Sequence, residues 1–247
     1  MKGFHIVVRL KDVPGALHSA LGELSECVDI VNSVSYGLED GTAIWSGFVK
    51  SLSTSETDGS LKKRIELSPS VLECEVKESD HGLLIDSFHS GFDIGHDIPG
   101  IVFSVAGFAR VCDRLAQLLG SGGQTILFQE GLAFGKSTGQ YLNARLGQGD
   151  LEWKVKALVG MNRAHGWGTA SLEVVEPGAR FRVTTVDDLE CAELGKGRKG
   201  CDFLRGHLTS AISALSGSEF EGEETKCKLR GDKFCEFLLS RMETQGT

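Results

Sequence analysis

The chain has 247 residues, of which 40% are hydrophobic and 24% charged, with a formal net charge of −8. This composition describes an ordinary globular protein of one or two domains, long enough to bury a core without disulfides. An acidic balance without any lysine–arginine run argues against a nucleic-acid footprint in this chain, and no apolar run reaches the length of a membrane span.

The N-terminus, MKGFHIVVRLKD, meets charged residues too early for a secretory signal, so the expected location is the cytoplasm. Residues 4–10 read as a mostly buried strand. Asp12, Pro14 and Gly15 form a turn that starts a helix, with proline tolerated in the first turn. Leu17, Leu21 and Leu24 continue that helix at spacings of four and three. Residues 29–36 read as a second strand, 39–41 as a hairpin turn and 42–49 as a third strand. A polar loop over 51–60 leads to a short helix at 62–67, and 71–76 alternates as a fourth strand. The order is β-α-β-β-α-β, the ferredoxin-like pattern.

The run Leu10-Lys11-Asp12-Val13-Pro14-Gly15-Ala16-Leu17, followed by Asp29-Ile30-Val31, resembles the signature of the ACT domain family over residues 3–78. The resemblance implies a regulatory module that pairs with a second copy and binds an amino acid near the Asp-x-Pro-Gly loop. In that reading Asp12 meets an ammonium, while backbone N–H groups beside Pro14 and Gly15 receive a carboxylate. The alternative is that Asp12 only caps the helix and the module only dimerises.

The expected division is 1–79 for this domain, 80–98 for a His/Asp/Gly-bearing linker and 99–247 for a second domain. In the second domain a helix opens at Pro99 or Gly100 and runs to Leu119, and Gly120 to Gly123 break it. A second helix covers 125–146, with Gly131, Gly135 and Gly139 spaced by four so that another helix or a ligand can approach closely. A third helix spans 151–165. The period then changes to strands at 166–175 and 180–186 around Pro177-Gly178. A helix at 201–215, a strand at 219–229, the Gly231-Asp232 turn and a strand at 234–240 complete the chain. This is an α+β architecture, with helices packed on an antiparallel sheet.

The seven cysteines, at 27, 74, 112, 191, 201, 227 and 235, are odd in number and read as thiols or metal ligands. Cys201 at a helix start, with Glu224, Cys227 and Cys235 on two facing strands, forms a tetrahedral set for Zn2+. Cys191 is a competing ligand or a spare thiol. A closed set of four leaves no position for water, so this zinc is structural.

The same layout, with the runs at 224–227 and 231–237, resembles the vinyl-4-reductase or hydrocarbon-binding domain family over residues 85–241. Its fold is shared with phenol-sensor effector domains and Bet-type tethering-complex subunits, the NO-signalling/Golgi-transport ligand-binding type. Gly135 and Gly139 suit it. The resemblance implies a small-molecule pocket between helices and sheet, for which Phe128, Phe134, Tyr141, Met161, His165 and Trp167 are candidates, His165 and Trp167 foremost.

The expected function is ligand sensing, with an amino acid at the first domain or a small hydrophobic or aromatic molecule in the second. A homodimer and a separate output protein are implied. The chain has no nicotinamide fingerprint and no assembled Ser/His/Asp or Cys/His set, so no enzyme is expected. The alternatives are a reductase or accessory of tetrapyrrole metabolism, and an assembly scaffold in which Cys112 holds an acyl chain.

Overall fold

A computed structural model of the chain describes residues 2–38, 40–79, 92–93, 99–101, 103–191 and 198–243. Two units result, Met1–Ile101 and Val102–Thr247. The expected linker at 80–98 lies outside the described residues, apart from β5 (Phe92–Asp93), which pairs with β6 (Pro99–Gly100).

In the first unit, β1 (Gly3–Lys11) is central and pairs antiparallel with β3 (Thr42–Ser51) and β4 (Val71–Ser79), while β2 (Val28–Gly37) pairs with β3. The sheet order is β2-β3-β1-β4. Phe4, Ile6, Val8 and Leu10 alternate along β1, so one face of the strand enters the core with Trp45, Val49, Cys74 and Val76. Ala20 of α1 (Ala16–Gly22) and Leu61 and Ile65 of α2 (Asp58–Ile65) cover that face.

α2 starts earlier than its apolar pattern suggests. Thr57 and Ser60 form a reciprocal capping box, the Ser60 amide donating to Thr57 Oγ1 at 3.2 Å and the Thr57 amide to Ser60 Oγ at 2.9 Å. A serine in place of the usual glutamate made that start hard to read. α1 is capped by Gly15, which sits at φ 85°, and no side chain caps it. Asp12 is therefore not the helix cap. Its carboxylate lies instead against Gly37, where an added Cβ would be 2.9 Å from Oδ2.

The second unit opens with α3 (Val105–Leu119), capped by Ser104, whose hydroxyl accepts from the Gly107 amide. That cap places the helix start beyond Pro99 and Gly100. Gly120, at φ 56°, makes the corner to α4 (Ser121–Leu146), and Gly122 and Gly123 lie inside the new helix. α5 (Leu151–Ala164) is capped by Asp150. β7 (Ala170–Glu176) starts four residues later than its apolar run suggests, because Gly166 and Gly168 hold positive φ and keep 166–169 as a loop. β8 (Arg180–Thr185), α6 (Asp202–Ser216), β9 (Phe220–Lys226), a 3-10 turn (Lys228–Arg230) and β10 (Cys235–Arg241) follow. Their antiparallel sheet has the order β7-β8-β10-β9.

Phe181, Val183, Phe237, Leu239 and Phe220 line the inner face of this sheet. Leu204, Leu208, Ile212 and Leu215 of α6 and Val155, Leu158 and Val159 of α5 pack on it. Behind them α6 lies directly against α4. A Cβ on Gly131, Gly135 or Gly139 would sit 2.1, 2.1 or 2.5 Å from the carbonyl oxygens of Phe203, His207 and Ala211. The four-residue glycine spacing thus serves close helix–helix approach. No helix among the described residues is long and apolar enough to cross a membrane.

Gly131→Ala drives its methyl into the α6 backbone and is expected to destabilise the protein by about 1–3 kcal/mol. Gly160→Ala, in open space on α5, is expected to stabilise it by about 0.5–1 kcal/mol through helix propensity. Chemical denaturation of both variants checks the pair.

Candidate functional site

Four chain segments end at one edge of the second sheet. β8 finishes at Thr185, which pairs with Cys235, the first residue of β10. The chain then turns back through buried Asp188 to Cys191. Cys201 is the N-cap of α6, and Cys227 follows the last residue of β9. The sulfurs of Cys191, Cys201, Cys227 and Cys235 all lie within 4.8 Å of one another, and all four residues are buried.

A tetrahedral ion with metal–sulfur bonds of about 2.3 Å places its sulfurs about 3.8 Å apart. The separations Cys201–Cys227, Cys201–Cys235 and Cys227–Cys235 are 3.8, 3.8 and 3.9 Å. Cys191 sits closer, 3.0 Å from Cys201 and 3.4 Å from Cys235. This donor set can hold one metal ion and is closed to solvent.

Three carboxylates orient the cysteine backbones. Asp188 Oδ1 accepts from the Cys191 amide at 3.0 Å, and Asp232 Oδ2 from the Cys227 amide at 2.8 Å. Both oxygens of Glu224 lie 3.2 Å from the Cys201 amide. The Lys228 amide points at Cys235 Sγ, 3.4 Å away. Glu224 therefore does not occupy the corner expected of it. The start of α6 and Arg230 hold its carboxylate, and Cys191 completes the quartet.

Hydrogen bonding among the sulfurs splits their acidities. Bonds led by that from Cys191 draw Cys227 far below the usual thiol value and push Cys201 and Cys235 well above it. A divalent ion would displace the remaining protons. Burial, reinforced by Cys227, lifts Glu224 to about 8.

Behind the quartet lies a second buried polar cluster. Arg198 Nε donates to Asp113 Oδ1 at 2.6 Å, and Arg198 Nη1 lies 3.3 Å from Glu190 Oε1. The other Glu190 oxygen accepts from the Leu204 amide at 2.7 Å. Glu190 and the Arg198 side chain have no exposed surface, and burial raises the carboxyl of Glu190 to about 8. These bonds tie the cysteine-bearing segment to α3 and α6.

Between α5, α6 and the sheet lies a cavity of about 10 Å³, room for one water molecule. Val159, Asn162, Trp167, Gly168, Thr185 and Leu204 are among its lining residues. Trp167 packs over the buried His207 ring with centroids 4.7 Å apart, and Phe134, half exposed, lies 5.3 Å from Trp167. Asn162 Nδ2 is 3.2 Å from His207 Nε2, and His207 Nδ1 has no hydrogen-bond partner.

Of the expected pocket residues, Trp167 lines the cavity and Phe134 borders its aromatic surround. Phe128 is engaged by the Arg205 guanidinium, 4.1 Å above its ring. Met161 and Tyr141 pack against the main core, and His165 closes the end of α5. Asp12, Pro14 and Gly15 belong to the first unit. Cys112 is buried with Leu127, Leu189 and Phe203. Sequence reasoning passed over His207, although it interrupts the apolar stripe of α6, and Asp188 and Asp232, each a few residues from a cysteine.

Residues 181–241 match the model of the vinyl-4-reductase domain. The fold is similar to the crystal structure of the phenol-responsive sensory domain of the transcription activator PoxR with phenol, at 15% identity and a TM-score of 0.53. That match covers 58% of this chain and 77% of the other. A vinyl-4-reductase family protein from Methanocaldococcus jannaschii matches at 15% identity and a TM-score of 0.42, covering 58% and 85%. A comparison with curated proteins finds no match.

Proposed function

We propose that the second unit is a sensory domain that encloses a small hydrophobic or aromatic molecule and is stapled by one structural zinc ion held by Cys191, Cys201, Cys227 and Cys235. The observation that carries this reading is the buried thiol quartet, with three sulfur separations at the tetrahedral spacing. The vinyl-4-reductase domain match and the fold shared with a phenol-responsive domain support the sensory part. A tetrahedral set of thiolates favours zinc or iron among common ions. Zinc bound there would contribute its binding energy to folding and leave no open position for catalysis.

The cavity beside Trp167 is the proposed guest site. It holds a single water's volume, so a guest enters as Trp167 and its neighbours move apart. The surround is apolar and aromatic, with Asn162 and His207 as its polar pair.

The first unit is proposed as an ACT-type regulatory module. Its element order and its sheet order, β2-β3-β1-β4, support that reading. The module pairs with a second copy and takes an amino acid at the Asp12–Gly15 loop, and a separate cytoplasmic output protein reads the state of the dimer.

Elemental analysis of the purified chain is expected to give one zinc per chain. Cys191→Ser is expected to lose it, whereas Glu224→Gln keeps the stoichiometry with affinity lowered at most about 10–100-fold. The reverse ranking would return Glu224 to the ligand set. Phenol and free amino acids serve as guest probes in thermal-shift assays, where saturation at 100 times Kd stabilises the protein by about 2.7 kcal/mol.

Burial lowers the pKa of His207 from 6.5 to about 3. The unfolded chain therefore binds one more proton than the folded chain between those values. Stability is lost as pH falls through that window, by at most about 1.4 kcal/mol per pH unit. The stability difference between wild type and His207→Gln, measured from pH 7 to pH 4, is expected to shrink accordingly.

A further inference from the structure

The thiol quartet and the cavity share a wall. Thr185 lines the cavity, and its hydroxyl donates to Asp188 Oδ2 at 3.2 Å. The other oxygen of Asp188 accepts from the amides of Glu190 and Cys191 and lies 3.5 Å from Cys201 Sγ. One carboxylate with no exposed surface thus touches a cavity residue on one side and two metal-site cysteines on the other.

The segment 185–191 also supports the opposite lip of the cavity. The Leu189 amide donates to the Trp167 carbonyl at 3.2 Å, and the Val186 amide to that of Thr169 at 3.1 Å. A Cβ on Gly168 would meet Asp187 O at 2.7 Å and Asp188 Cα at 2.8 Å, so the two backbones are in direct contact. Glu190 receives the amide of Leu204, a third lining residue. Trp167, Gly168, Thr185 and Leu204 are therefore bonded to or packed on the stretch that ends at Cys191.

We propose that the metal site governs the guest cavity: ion binding at Cys191 fixes the segment 185–191, and Asp188 transmits that position to Thr185 and to the Trp167 loop. Asp188 is a positioning residue for both sites. Because the linkage is thermodynamic, a guest that prefers one wall position changes metal affinity by the same factor. The proposal rests on the metal reading above and adds to it that the ion regulates the pocket as well as the fold.

The test uses the full chain labelled with 5-fluorotryptophan, which gives one resonance each for Trp45, Trp153 and Trp167, assigned by single Trp→Phe variants. Zinc alone is titrated into metal-stripped protein, with bound metal counted independently by elemental analysis. The expected result is a Trp167 shift complete at one zinc per chain, with Trp153, on the outer side of α5, unmoved. Thr185→Val, which removes only the hydroxyl bonded to Asp188, is expected to bind one zinc and show a smaller Trp167 shift. One bound zinc with Trp167 unmoved overturns the coupling while leaving the metal reading intact. Trp153 moving in step with Trp167 reports folding of the whole unit and overturns the local link. A full shift in Thr185→Val overturns the Asp188 route. No bound zinc overturns the metal reading and the coupling together.

Discussion

Four sulfurs from four separate segments meet in one closed space, and the arrangement of the second unit's sheet edge depends on that convergence. Each segment arrives at an end, where its own hydrogen-bond ladder stops: the run beyond β8, the N-cap of α6, the residue after β9 and the first residue of β10. Chain ends of this kind fray unless something holds them. Asp188, Glu224 and Asp232 take the amides of Cys191, Cys201 and Cys227, and this sets where the thiols point. The carboxylates alone bring acceptors, not attraction, to a site already rich in sulfur. A central cation supplies the attraction.

α6 connects this edge to the rest of the unit. Its first turn follows Cys201, its next presents Leu204, His207 and Leu208 toward the cavity and its aromatic surround, and its opposite side lies flat on the glycines of α4. Backbone-to-backbone contact between α4 and α6 leaves no side-chain layer to absorb a displacement. A shift at the helix start is therefore carried along the helix rather than lost at the interface. The polar groups inside this region are mostly satisfied, Glu190 by Leu204 and Arg198, and Asp188 by Thr185 and two amides. His207 Nδ1 is the departure, next to the cavity with room for a water.

Much of this was legible in the residues. Period-two runs located the strands of both units, because each buries one face against helices and alternation records that burial. The glycines of α4 announced a close approach by their spacing of four. Element starts were less legible. Thr57–Ser60, Ser104 and the positive-φ glycines Gly166 and Gly168 set boundaries through local hydrogen bonds and backbone angles, which hydrophobic period does not register. At the thiol site, Cys201, Cys227 and Cys235 could be grouped because a helix start and a hairpin bring them together. Cys191 reaches the quartet through a turn built by Asp188, a tertiary route with no short-range spacing to betray it. Glu224 was misplaced because strand register put it near the site, whereas the competing α6 N-terminus and Arg230 became visible only in three dimensions.

X-ray absorption of the zinc-loaded chain is the most direct measure of the central claim. Four sulfur neighbours at about 2.3 Å, with no oxygen or nitrogen bound to the metal, is the result this account predicts. A shell of three sulfurs and one oxygen at about 2.0–2.2 Å would contradict it, because the fourth corner would then belong to a carboxylate and the segment carrying Cys191 would be free of the ion.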